Sequence, residues 1–161
     1  MSGNRRGRNE RSTASRLAAV QALYQLDIES STVDEAFDSV KLRGATLDDT
    51  GRTAEIDPER TETIVRGVAA DKAGRLDEMI DASLSGGWNS SRLESLMRVI
   101  LRAGIYELLE CSDVPAKVVI NEYVDVAHAF FDRGEPGMVN AVLDRLARVL
   151  RAAEFGSPAK V

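Results

Sequence analysis

The chain has 161 residues, of which 43% are hydrophobic, 29% charged and 5% aromatic, so it is long enough to form one domain with its own hydrophobic core. A single cysteine, Cys111, and a single histidine, His128, exclude an internal disulfide, a His/Cys zinc site and a Cys–His nucleophile pair. No apolar run approaches the roughly 18 residues of a membrane span, and no hydrophobic stretch follows the basic start. We therefore expect a cytoplasmic protein without a secretory signal, although an Arg- and Ser-rich start also fits an organellar transit peptide.

Positive charge is concentrated at the start of the chain. Residues 1–16 contain five arginines and one glutamate, a charge of +4, whereas the remaining 145 residues carry −9. Residues 1–12 contain no hydrophobic side chain after Met1, which predicts a disordered arginine-rich arm. Arginine-rich segments bind RNA phosphates through paired donors and become ordered on binding, although a basic terminus is also common as a solvated tail. The five arginines are Arg5, Arg6, Arg8, Arg11 and Arg16.

Apolar residues at three- and four-residue steps predict four helices in the first half of the chain, the first of them beginning at residue 12 or 13. The second helix begins at a capping box formed by Thr32 and Glu35. The third begins with Asp57 as the N-cap and Pro58 at the first helical position. Between these two helices, residues 44–56 are predicted to form a polar loop.

The second half of the chain predicts three further helices, which follow a break at residues 85–87 (SGG). Ser91 and Glu94 form a capping box for the fifth helix, while Pro115 and Pro136 open the sixth and the seventh. No convincing period-2 strand pattern appears anywhere in the sequence. The predicted fold class is therefore all-α, a compact bundle of about seven helices.

The break also predicts how the helices are divided. Residues 13–152 are expected to form one helical domain with two small subdomains at about 13–85 and 88–152, followed by a flexible tail at 153–161. Gly67 and Gly104 lie inside predicted helices, where each costs about 1 kcal/mol relative to alanine. Such glycines indicate a close approach between helices.

The sequence offers little for catalysis. Asp48 and Asp49 fall in the polar loop, and Asp77 and Asp81 lie one helical turn apart, where a solvated surface is the simpler interpretation. His128 has no ligand partner one turn away, which favours a place at the edge of the core. Glycine-rich phosphate-binding motifs are absent. We predict a protein that is not an enzyme and that needs no cofactor or metal.

The first helix contains a candidate RNA-contact patch. Tyr24 lies two turns beyond Arg16, and Gln21 lies one turn before Tyr24. An arginine, an amide and an aromatic ring are groups with which proteins bind a phosphate, read a base edge and stack on a base. The same spacing also fits a tyrosine at the edge of the core.

Four segments of the chain resemble the NusB transcription antitermination factor family, and in order they extend from about residue 15 to residue 150. They are residues 16–26 (RLAAVQALYQL), residues 101–102 (LR) with 105–108 (IYEL), residues 112–122 (SDVPAKVVINE) and residues 139–144 (VNAVLD). The resemblance implies an all-helical fold of two small bundles. It also implies binding to boxA, a single-stranded RNA element of ribosomal RNA leader transcripts. Partners would be the small-subunit ribosomal protein NusE and the RNA polymerase antitermination complex.

The resemblance implies that RNA is bound by the arginine-rich N-terminus, by the first helix and by the loop before the last helix. Family members often have an aromatic residue where Met138 stands here. If five arginines neutralise phosphates, the slope of log affinity against log salt is about −3.5. The implied RNA-binding residues are Arg5, Arg6, Arg8, Arg11, Arg16, Gln21, Tyr24, Gly137 and Met138.

A second interpretation comes from a different class of protein. A helical scaffold that binds only other proteins, as a monomer or a homodimer, would carry the same basic segment as a solubilising tail. Binding to boxA-type RNA separates the two interpretations.

Overall fold

The computed structural model describes residues 2–46, 50–84 and 93–156, and only the backbone of residues 2–9. These ranges contain seven α-helices, one pair of two-residue strands and a short 3₁₀ helix. The prediction of an all-α protein with about seven helices is confirmed. In chain order the elements are α1 (Ser2–Ile28), α2 (Val33–Arg43), β1 (Ala45–Thr46), β2 (Thr53–Ala54), α3 (Pro58–Ala69), α4 (Arg75–Ser83), α5 (Ser95–Glu110), α6 (Ala116–Phe130), α7 (Glu135–Leu150) and the 3₁₀ helix Ala152–Phe155.

Helix α1 begins earlier than the sequence predicts. The expected disordered arm at residues 1–12 is replaced by helical backbone from Ser2 onward. The first turn contains no acidic residue to complement the positive end of the helix dipole. Arginine is nevertheless a good helix former, and extending an existing helix avoids the cost of nucleation. The packed part of α1 therefore supports a helical continuation toward the N-terminus.

The predicted starts of α2, α3, α6 and α7 are confirmed, and the predicted start of α5 is wrong. The Thr32 hydroxyl accepts a hydrogen bond from the Glu35 N–H at 3.1 Å, and the Asp57 carboxylate accepts one from the Glu59 N–H at 3.2 Å. Helix α5 begins only at Ser95, with Glu94 as its N-cap and without a side-chain capping bond. Ser91, the predicted N-cap of this helix, lies outside the described residues.

The chain forms two compact units, Met1–Ala70 and Asp71–Val161, so the predicted subdomain boundary near residues 85–88 is displaced. Helix α4 belongs to the second unit because its two ends are bonded there. Asp77 accepts two hydrogen bonds of 2.7 Å from Arg102 on α5, and Arg145 on α7 donates to the Ser83 carbonyl at 3.0 Å. The predicted break at residues 85–87 lies outside the described residues.

In the first unit, α1 packs against both α2 and α3. The predicted polar loop at 44–56 contains a short antiparallel pairing, in which Ala45 faces Ala54 and Thr46 faces Thr53. Gly44 precedes this pairing with a φ of 71°, and a Cβ there would lie 2.6 Å from the Ala54 carbonyl oxygen. A glycine is required at this position by both its backbone angle and the space available.

In the second unit, α5 packs against α4, α6 and α7. Gly104 lies on its buried face, where a Cβ would come within 2.8 Å of Leu143 Cδ1 on α7 and 3.4 Å of Tyr123 Cδ2 on α6. The close helix approach expected at Gly104 is therefore present.

Arg151 ties three segments of this unit together. Its guanidinium donates to four backbone carbonyls at 2.7–3.1 Å and to the Glu154 carboxylate at 2.8 Å. Glu154 in turn accepts a hydrogen bond from the Ala116 N–H at the start of α6. Residues 153–156 are predicted from the sequence to belong to a flexible tail, but they are part of the folded second unit. Residues 157–161 lie outside the described residues. The four carbonyls are those of Glu107, Leu108, Cys111 and Val114.

We expect Gly104→Ala to lower the free energy of unfolding by about 1–2 kcal/mol. Overpacking a core costs about 1–3 kcal/mol, and alanine recovers up to about 1 kcal/mol of helix propensity. Gly137→Ala is the matched control, because no atom lies within 4 Å of its added Cβ and only the propensity gain applies. Urea denaturation measures both variants, and equal shifts would contradict the close packing at Gly104.

The Ala116 N–H, together with Arg151, holds the pKa of Glu154 below its ordinary value of 4.5. A carboxylate with a lowered pKa in the folded state stabilises the fold above its unfolded-state pKa, and this contribution is lost as the pH falls through the folded-state value. The variant Glu154→Gln has no titratable carboxyl group at this position, so it lacks this pH-dependent contribution. We expect the stability advantage of the parent protein over this variant to shrink below pH 4.5, as measured by urea denaturation at several pH values. An advantage independent of pH would contradict the assignment.

Candidate nucleic-acid interface

The structure separates the predicted site residues of α1 by their exposure. Arg11 is exposed, Gln21 and Tyr24 are half-buried, and Arg16 is 1% exposed. Arg5, Arg6 and Arg8 lie in the helical backbone of α1, and their side chains are outside the described residues. Their positions along the helix still separate the arginines from the tyrosine, since 1.5 Å per residue places Arg11 about 20 Å before Tyr24.

Arg16 is not available for direct contact with RNA. Every side chain from residue 14 to residue 20 is buried, so α1 is surrounded by protein over this stretch. The Arg16 guanidinium donates to the Ser12 hydroxyl at 2.6 Å and more weakly to the Ser12 carbonyl at 3.4 Å. The prediction of Arg16 as a phosphate ligand is therefore replaced by a structural role inside the first unit.

Gln21 and Tyr24 lie three residues apart on α1 and are neighbours on its surface. Arg16 is about 140° away from Gln21 around the helix, so the predicted three-residue patch reduces to these two side chains. Gln21 Nε2 donates to the Thr46 carbonyl at 3.2 Å, which fixes strand β1 against α1. The exposed part of Tyr24 thus lies beside an amide whose orientation is set by the strand pair.

A buried hydrogen-bond network holds the first half of α1 against the start of α3. The Ser15 hydroxyl donates to the Arg11 carbonyl and accepts from the Asp57 N–H, both at 2.7 Å. Thr61 donates to the Ser15 carbonyl at 2.9 Å. Sequence periodicity indicates that these positions are near the core, but it does not pair residues that are more than 40 positions apart. This network sets the position of Arg11.

A surface depression of about 500 Å³ lies beside the strand pair, between α1, the last turn of α2 and β2. A second depression of about 320 Å³ adjoins it, shares Arg11 and residues 53–55 with it, and adds Glu10. The larger depression also contains Lys41 and Arg43 from the last turn of α2. This basic pair is visible in the sequence but is not among the predicted site residues. The charged lining of the larger depression is Arg11, Lys41, Arg43 and Glu55.

The loop predicted to contact RNA lies in the second unit. Gly137 and Met138 occupy the first turns of α7, where Gly137 is exposed and Met138 is half-buried. The Met138 N–H donates to the Gly134 carbonyl at 3.1 Å, so the segment is already helical at this point. The sulfur-containing side chain offers an apolar surface without a ring.

Of the acidic and histidine candidates, the structure describes Asp77, Asp81 and His128. Asp77 is paired with Arg102 and is therefore not simply solvated, while His128 is exposed instead of lying at the core edge. Asp48 and Asp49 lie outside the described residues. In the described parts of the chain, no three His, Cys, Asp or Glu side chains gather as a possible metal site. None of the helices described there combines the length and hydropathy needed to cross a membrane.

The sequence model of the NusB family matches residues 13–148 of this chain. A transcription antitermination protein NusB from Rhodospirillum rubrum is 48% identical to it over 169 aligned residues, which cover 94% of this chain and 91% of that protein. The protein of the same name from Bradyrhizobium diazoefficiens is 49% identical, over 95% of this chain and 89% of that protein.

A solved structure of NusB from T. maritima resembles the fold described above. The two chains are 26% identical and superpose with a TM-score of 0.71, over 89% of this chain and 96% of that one.

We expect Ser15→Ala to lower the free energy of unfolding by about 1–3 kcal/mol, since it leaves the Asp57 N–H without its acceptor in the protein interior. Thr63→Ala is the control on α3. Its hydroxyl donates to the Glu59 carbonyl on an exposed face, so its loss changes stability by no more than about 0.5 kcal/mol. Chemical denaturation compares the two variants. A Ser15→Ala protein as stable as the control would show that the network does not hold α1.

Proposed function

This chain belongs to the NusB family, and from that premise we propose that it acts as a transcription antitermination factor that binds RNA and catalyses no reaction. The RNA is boxA, the single-stranded element of ribosomal RNA leader transcripts. The protein binds it together with the ribosomal protein NusE, and the complex promotes read-through by RNA polymerase.

The observation that carries this proposal is the similarity to antitermination proteins along nearly the whole chain. The identity of 48–49% extends over 94–95% of the residues, so the similarity covers both compact units and is not confined to one of them. The charge distribution supports the same function. The +4 of residues 1–16 attracts a polyanion locally, while the −9 of the remaining chain disfavours indiscriminate binding to nucleic acid.

On α1, the proposed RNA contacts are the arginines at its start, with Gln21 and Tyr24 farther along. Arg11 is exposed and makes no ion pair with the described residues, which leaves its guanidinium available to a phosphate. Tyr24 offers a partly exposed ring for stacking on an unpaired base. Gly137 and Met138 on α7 are the proposed contacts of the second unit.

NusE strengthens this binding through linkage. If NusE contacts both the RNA and this protein, each partner raises the affinity of the other by the same factor. When two proteins that contact each other both bind one RNA element, binding of the second is effectively intramolecular, which raises the overall affinity for the RNA. Arg16 contributes only indirectly, since its side chain is inside the first unit.

We expect boxA RNA to bind with a strong salt dependence to which four arginines contribute, Arg5, Arg6, Arg8 and Arg11. Four neutralised phosphates contribute about −2.8 to the slope, so these contacts alone weaken binding about fiftyfold between 50 and 200 mM salt. The quadruple change of these arginines to glutamine should make the slope less negative by about 2.8. Fluorescence anisotropy with labelled RNA at several salt concentrations measures it.

Two controls accompany the titration. Lys72→Gln/Lys117→Gln removes two exposed cations of the second unit, for which we propose no RNA contact, and should leave the slope unchanged. RNA with a mutated boxA element should bind more weakly, and added NusE should tighten binding to the intact element only. A parent protein that binds no boxA RNA, with or without NusE, would favour the protein-binding scaffold instead.

A further inference from the structure

The depression beside the strand pair presents a group of cations that the packing of the first unit does not use. We call it the hairpin groove and define it by Arg11, Lys41, Leu42, Arg43 and Glu55. Its larger part measures about 500 Å³, which is within the range of about 300–1,000 Å³ typical of ligand clefts. All five of these side chains are exposed.

None of the three cations is paired with a carboxylate of the described residues. The Arg43 Nε donates to the Ser39 carbonyl at 3.3 Å, and the Lys41 ammonium lies 5.9 Å from the centroid of the Phe37 ring. The terminal nitrogens of Arg43 and the whole guanidinium of Arg11 make no hydrogen bond within the described residues. By contrast, Arg66 on α3 is bonded to two carboxylates.

Helix electrostatics explains only part of this arrangement. Lys41 and Arg43 lie in the last turn of α2, where cations complement the negative end of the helix dipole by about 0.3–1 kcal/mol each. Arg11 comes from the middle of α1 and gains nothing from the end of α2. Like charges from two helices that line one depression repel each other, and Glu55, the one carboxylate among the described lining residues, offsets only one of the three positive charges.

We propose that the hairpin groove holds backbone phosphates of the same RNA, next to those bound at the start of α1. This inference rests on the function proposed above and extends its RNA site to α2. Arg11 belongs to both regions and makes them continuous. Leu42, which is 88% exposed and lies between the two basic residues, offers an apolar surface to a base or ribose.

The lining favours an extended polyanion over a small enclosed anion. The cations lie at the exposed margin, and Glu55 together with the neighbouring Glu10 would repel an anion that is bound deep in the depression. A single strand contacts separated cations with successive phosphates and keeps the remaining charge in water. Lys41 and Arg43 are therefore expected to neutralise about two phosphates.

Lys41→Gln/Arg43→Gln tests the groove with a 20-nucleotide single-stranded RNA that carries boxA at its centre. Two lost phosphate contacts make the salt slope less negative by about 1.4. Between 50 and 200 mM salt, the parent protein should then lose about sevenfold more affinity than the variant. Both substitutions are on exposed side chains, and thermal denaturation verifies that the variant is folded. Lys72→Gln/Lys117→Gln is the control with the same change in net charge.

The outcomes separate the groove from the proposed function. Binding by the parent with an unchanged slope in the groove variant would overturn the groove and leave the function intact. The same loss of slope in the control variant would also overturn it, because the effect would then come from net charge alone. A parent that binds no RNA would overturn both proposals. A reduced slope in the groove variant alone supports the groove.

Discussion

The burial of α1 between α2 and α3 is the constraint on which the candidate site depends. Seven consecutive side chains of this helix, residues 14–20, are buried, so its polar members need partners inside the protein. The Ser15 hydroxyl is hydrogen-bonded to the Arg11 carbonyl and the Asp57 N–H, and the Arg16 guanidinium donates to the Ser12 hydroxyl. The bond from Asp57 joins α1 to another segment and so fixes the rotation of this helix, which decides which of its arginines face solvent.

The arginines whose side chains the structure describes include two different kinds. Those with internal partners stabilise the fold. Arg102 joins α5 to α4 through Asp77, and Arg151 donates to the Glu107 and Leu108 carbonyls near the end of α5. Arg11 and Arg43 are exposed and have no carboxylate partner among the described residues, so they can neutralise a ligand's charge without breaking an ion pair. These two arginines lie together beside the strand pair of the first unit.

An acidic body with local basic surfaces suits the proposed recognition of one RNA element among many. Attraction acts mainly within a Debye length, about 8 Å at physiological salt, so a few unpaired arginines attract RNA only at their own surface. The acidic remainder opposes binding elsewhere. Under the proposed function, specificity comes from base contacts, for which Tyr24 and Gln21 are the candidates on α1, and from the proposed second protein.

The sequence by itself determined the helices, because hydrophobic periodicity and capping are local; the capping box at Thr32 and the Asp57–Pro58 start are present as expected. It also determined the family, since the matching motifs extend along the chain. Only the tertiary structure decided that Arg16 is buried and that α4 joins the second unit. Both depend on partners brought close by folding and on the direction each helix face takes, and neither is encoded in local spacing.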